Sequence, residues 1–125
     1  MPIETTIIES ENLTFHSASG ALTFYEIMYE VKSFYDSDRP TKNVLWDLTE
    51  VTNIEITNEQ VVEIANYRKR FSGQRSAGKT AIVAANDLYF GLARMFEMHS
   101  DLNLAPFDVM VFRNRDEADS WLEGN

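Results

Sequence analysis

From residue 44 onward strand-like and helix-like segments alternate along this chain, and that alternation restricts the fold more than any single motif does. Residues 44–48 (VLWDL), 79–85 (KTAIVAA) and 108–112 (DVMVF) are short and largely apolar, the pattern of strands covered on both faces. Between the first two, residues 59–71 place Val61, Val62, Ile64, Ala65 and Phe71 at helical spacing among Glu63, Arg68 and Lys69. A third helix runs from Asn86 or Asp87 to about His99, and residues 116–122 close the chain as a fourth. Strands separated by helices of about three turns define βα units and a largely parallel sheet.

The first third of the chain supplies the remaining elements. Residues 5–9 and 13–19 are rich in β-formers, and Ser10-Glu11-Asn12 between them predicts a hairpin. Polar residues alternate through both segments, which predicts half-exposed edge strands. Thr23 and Glu26 then form a capping box ahead of Phe24, Ile27, Met28, Val31, Phe34 and Tyr35, and the helix ends before Pro40. Thr57 and Gln60 form a second capping box. The expected fold class is therefore α/β, a single domain over residues 1–125 in the order ββαβαβαβα, with an N-terminal β-hairpin and a mostly parallel mixed sheet.

Charge and composition narrow the partners. A net charge of −9 repels nucleic acid and anionic membrane, which bind through basic faces. There is no cysteine, so disulfides, thiol catalysis and cysteine metal sites are excluded. Apolar runs are too short to insert in a membrane, and the acidic N-terminal segment does not read as a secretory signal, so a cytoplasmic protein is expected. His16 and His99 fall outside any metal-ligand spacing, and no cofactor is expected.

Residues 73–80, GQRSAGKT, run from Gly73 to Thr80 and match the phosphate-binding pattern GxxxxGK[ST] letter for letter. A phosphate-binding loop needs the order strand, loop, helix, because the helix N-terminus and loop N–H groups cradle the phosphates. Here a helix precedes and a strand follows. The match is therefore read as accidental, with Gly73 as a helix C-cap and Gly78 as a turn into the strand. Arg68, Lys69, Arg70, Arg75 and Lys79 crowd this turn, as a solvated helix end or as a weak anion site.

In a mostly parallel sheet the binding surface lies beyond the C-terminal strand ends, an edge expected to carry Asp47, Thr49, Thr57, Asn86 and Asp87. Asp47 and Glu55 could pair there as acid and base. No nucleophile, oxyanion donors or catalytic motif accompanies them.

The strings VLWDLTEV, GKTAIVAANDLYFGLARMFE and VFRNRDEADSWL together resemble SpoIIAA-like, or STAS/SEC14-type, bacterial proteins, over nearly the whole chain. The resemblance implies a small superhelix of βα turns behind a hairpin. Its better-understood members are anti-sigma-factor antagonists, in which a serine after a "DLS" strand is phosphorylated to break a protein complex. Asp47-Leu48-Thr49 stands where that strand motif begins, and Glu55-Ile56-Thr57-Asn58 where the family has Asp-Ser-Ser-Gly. Three of those four positions depart, and only Thr57 keeps a hydroxyl. Thr57 is thus both the regulatory candidate and a plain N-cap.

Along the third helix Tyr89, Phe90, Leu92, Met95, Phe96 and Met98 spread around more of the circumference than one core-facing stripe requires. Tyr89, Phe90, Met95 and Met98 are the interface candidates, or else flank a thick core. Central strands apolar on both faces, with helices on one side, would leave a face for a second subunit, which predicts a homodimer. The function expected first is a non-catalytic protein-interaction or regulatory module with a protein partner. The alternative is a carrier of a small or lipid-like ligand, with Phe90, Phe96, Phe107 and Trp121 lining a cavity.

Overall fold

Ile3–Ile8 (β1) and Leu13–Thr23 (β2) are joined by a 3₁₀ turn, Glu9–Glu11, and by Asn12 in the left-handed conformation (φ 50°). Asparagine tolerates that conformation better than most residues. The side chain also earns its position by accepting the Lys42 N–H at 3.0 Å. Then follow Phe24–Asp36 (α1), Asn43–Glu55 (β3), Asn58–Arg70 (α2), Lys79–Val83 (β4), Asp87–Leu102 (α3), Asp108–Phe112 (β5) and Arg115–Leu122 (α4). This is a computed structural model, and it describes residues 2–37, 40–70, 78–102 and 108–124.

The strands lie in the order β1-β2-β3-β4-β5, with β1 antiparallel to β2 and all other neighbours parallel. From β2 to β5 every crossover steps in the same direction. Because such crossovers are right-handed, they all fall on one face of the sheet. There α1, α2 and α3 pack on Trp46, Ile82, Val109 and Val111. The last helix, α4, is not a crossover and takes the opposite face, where Ala118, Trp121 and Leu122 cover Leu13, Leu45, Ala81 and Val83.

Two expectations change. β2 is an interior strand between β1 and β3, not an edge, because the N-terminal hairpin adds β1 outside it. The sheet face opposite the crossovers is also not left bare. Leu45, Ala81 and Val83 are each 0% exposed beneath α4, so the centre of that face needs no second subunit as a lid.

Both capping boxes form: Thr23 with Glu26, and Thr57 with Gln60, whose Oε1 accepts the Thr57 N–H at 2.9 Å while Thr57 Oγ1 accepts the Gln60 N–H at 3.1 Å. β2 and β3 run well past the end of β4, pairing Ser19–Thr23 with residues 50–55. Register shifts flank Gly20, which sits at φ 68°, a conformation that side-chain-bearing residues resist. A bulge of this kind bends and twists the strand pair. Leu22 and Ile54 of this arm pack into the core.

Candidate functional site

Between the crossover face of the sheet and α1–α3 the packing is incomplete. A cavity of about 120 Å³ lies there. Native interiors rarely leave voids larger than a water molecule, so a gap of this size is a feature to explain. Its floor is His16, Val44, Trp46, Thr80 and Ile82 of the sheet; its roof is Val31 and Tyr35 of α1, Ile64 and Arg68 of α2, and Leu92, Ala93 and Phe96 of α3. The extended arm closes one end with Leu22, Leu48 and Ile54. Local sequence explains the shape: Thr80 and Ala93 are small where larger side chains would fill the layer, and aromatic residues brace the sides.

His16 sits in this wall 2% exposed, its ring 4.1 Å from the Trp46 ring centroid to centroid. The hairpin register puts Thr5 opposite it, and Nδ1 lies 2.8 Å from Thr5 Oγ1. Thr5 in turn donates its only hydroxyl hydrogen to Glu30 Oε1 of α1 at 2.6 Å. Nδ1 must therefore be the donor to Thr5, which makes His16 the Nδ1–H tautomer with a lone pair on Nε2. Burial lowers the His16 pKa from 6.5 to about 4, so the ring is neutral at ordinary pH.

Arg68, 6% exposed, gives the cavity wall a charged group. Its Nη1 donates to Ser100 Oγ at 3.0 Å, and the guanidinium lies 5.1 Å from the Phe96 ring centroid. Desolvation lowers the arginine pKa and the adjoining Tyr35 opposes that shift; a guanidinium nevertheless stays charged. An apolar chamber with a few fixed polar atoms is the architecture of a small-molecule site.

The residues expected at the strand ends do not converge. Asp47 Oδ1 accepts from the backbone and hydroxyl of Thr49 at 3.0 and 2.8 Å, and its Oδ2 lies 3.8 Å from Arg115 Nη1. Asn86 caps α3, accepting from Leu88 N at 2.8 Å, while Asp87 pairs with Arg113 at 2.6 Å. Glu55 is exposed and eight residues beyond Asp47 on the same strand, about 26 Å away if extended, so the two cannot act as an acid and base pair. Thr57, exposed, heads α2 beyond them. With strand order unbroken from β2 to β5, there is no switch point to open a crevice at that edge.

Of the interface candidates, Tyr89 is buried at 7% with its hydroxyl donating to Thr52 O at 2.8 Å, and Phe90 is half-buried under the Arg113 guanidinium, 4.0 Å from its ring centroid. Met95 is half-buried and Met98 is 60% exposed. Sequence reasoning missed Tyr25 and Tyr29, 76% and 64% exposed on the outer side of α1, although their i, i+4 spacing off the apolar stripe was readable. Among the ligand-lining candidates only Phe96 reaches the cavity wall; Phe90 packs beside it, Trp121 lies on the opposite sheet face, and Phe107 falls outside the described residues.

Of the phosphate-loop match, residues 73–77 lie outside the described residues. Thr80 is the second residue of β4, and Lys79, its first, donates Nζ to Trp121 O at 2.7 Å with the ammonium 5.2 Å over that ring, a cation at the C-terminal end of α4. Among the described residues no cluster of His, Asp or Glu is placed to hold a metal ion, His99 included, and no helix is long and apolar enough to cross a membrane.

No protein-family model matches the chain, and no curated protein does. Solved structures do. An uncharacterised protein of the DUF3478 family with a SpoIIAA-like fold, from Shewanella loihica PV-4, superposes with a TM-score of 0.59 over 96% of this chain and 93% of that one, at 17% identity. The anti-sigma factor antagonist SpoIIAA in its unphosphorylated form gives 0.57 over 98% and 99%, at 11% identity. At these identities the likeness establishes the fold alone: the chain has the SpoIIAA-like α/β fold.

Proposed function

We propose that this domain is a non-catalytic module of the SpoIIAA type that holds a small apolar molecule in its core, so that the carrier reading and the regulatory reading describe one protein. The cavity between the sheet and α1–α3 carries the proposal. Its walls are almost wholly apolar, so a small molecule of matching shape gains by covering them. An engineered apolar cavity of about 150 Å³ is known to hold benzene, so this one suits a ligand of about six heavy atoms rather than a long-chain lipid. Thermal unfolding with benzene tests it. A midpoint that rises with benzene concentration, as binding to the native state alone requires, supports the reading; an unchanged midpoint up to saturating benzene refutes it.

The protein-partner reading has its own support. Leu88 and Met98 on α3 stand 67% and 60% exposed, and Tyr25 and Tyr29 expose two rings on α1. A homodimer or a protein partner would cover such residues. Thr57, exposed at the head of α2, remains the hydroxyl where a phosphate would gain from the helix dipole. A cysteine-free acidic chain suits a reducing, cytoplasmic setting. Light scattering across micromolar concentrations separates dimer from monomer, and a strictly monomeric mass removes the homodimer.

A further inference from the structure

The cavity is not uniformly greasy, and one of its polar atoms is left in a defined state. His16 is 98% withdrawn from solvent, its Nδ1 is committed to Thr5, and Nε2 finds no hydrogen-bond partner among the described residues. That atom belongs to a ring that forms part of the cavity wall, so a molecule held there can supply the partner the protein does not. The chain Glu30–Thr5–His16 explains why that nitrogen is an acceptor rather than a donor. Glu30 takes the Thr5 hydrogen, Thr5 then can only accept from Nδ1, and Nε2 is left with its lone pair. A neutral buried imidazole keeps that lone pair across ordinary pH.

We infer that the cavity selects a small ring compound bearing one hydrogen-bond donor, N–H or O–H, directed at His16 Nε2. This rests on the ligand-holding reading above and adds the chemistry of the ligand to it. Thr5 and Glu30 are positioning residues: they set the tautomer from outside the cavity and touch no ligand. A ring suits the volume of about 120 Å³ and the aromatic wall residues Trp46 and Phe96, and an unmatched acceptor rewards the donor.

The test uses three rings of nearly equal size at pH 8: benzene, with neither function; pyrrole, a donor; and pyridine, an acceptor. Dissociation constants are measured by calorimetry for the wild type, His16→Phe and Thr5→Val. In the wild type benzene and pyrrole both bind. In His16→Phe pyrrole weakens by about tenfold relative to benzene, because its N–H is then buried unpaired, while the pyridine-to-benzene ratio holds. In Thr5→Val, an exposed substitution that keeps the fold, the tautomer is no longer fixed, and pyridine gains about fivefold on pyrrole. Ratios constant within twofold across the three proteins, with benzene bound, overturn the donor assignment and leave the ligand-holding reading standing. If His16→Phe does not fold, Thr5→Val alone decides. Failure of benzene to bind the wild type overturns both.

Discussion

Replacing His16 by glutamine should flatten the acid side of this protein's stability curve. In the folded state burial holds the imidazole pKa at about 4, against 6.5 when exposed. As pH falls from 6.5 toward 4, the unfolded chain takes up the proton and the folded chain does not, so stability drops across that window and is intact above it. Each pKa unit corresponds to about 1.4 kcal/mol, so the whole window is worth about 3 kcal/mol, and pH 5 alone about 2 kcal/mol. Glu30, 3.9 Å from Nδ1, would attract an imidazolium but does not outweigh its loss of water. For a chain of 125 residues 2 kcal/mol is about 8 °C in melting temperature. Melting temperatures of wild type and His16→Gln, recorded at pH 5 and pH 7.5 in matched ionic strength, isolate the effect, because His99 and every carboxylate are common to both. The wild type should lose about 8 °C more than the variant between the two pH values. Parallel losses, within 2 °C, would show that His16 is not a buried neutral base and would undo the tautomer argument.

Three further outcomes follow from the same geometry. Ala93→Leu, on the α3 wall, should fill the cavity, raise stability by about 1 kcal/mol and abolish benzene uptake; a destabilised variant that still binds benzene contradicts the cavity's placement. Thr57→Ala should cost about 1 kcal/mol by urea titration through loss of the α2 capping box, with ligand affinity unchanged. Lys79→Met should cost about 1 kcal/mol by removing the bond to Trp121 O, and magnesium ATP should leave the wild-type melting temperature unmoved; a rise with ATP that Lys79→Met abolishes would restore the phosphate-loop reading.

The fold was legible because its determinants are local. Capping boxes at Thr23 and Thr57, apolar runs at 44–48 and 79–85, and the unbroken βα alternation each announce an element from a few neighbouring residues, and right-handed crossovers then leave little choice of topology. The site was not legible, because it depends on what is missing between layers. No local pattern shows that Thr80 and Ala93 are too small to meet. His16 looked like an edge residue, since its surroundings alternate with polar ones; only the pairing of β2 with both β1 and β3 buries it, and only the hairpin register brings Thr5 to its ring. Conversely, Asp47 and Glu55 invited pairing because both were expected near the strand ends, whereas a single long strand holds them apart.

The central claim is that a small ring enters the core on one face of the sheet. Methyl-labelled NMR spectra of the protein titrated with benzene test it most directly, because the sheet supplies its own control. Ring-current shifts that saturate at Leu22, Val31, Ile64 and Ile82, with Leu13, Leu45 and Val83 on the α4 face unmoved, are the predicted result. No saturable shift at the first group, or shifts shared equally by both faces, would contradict it.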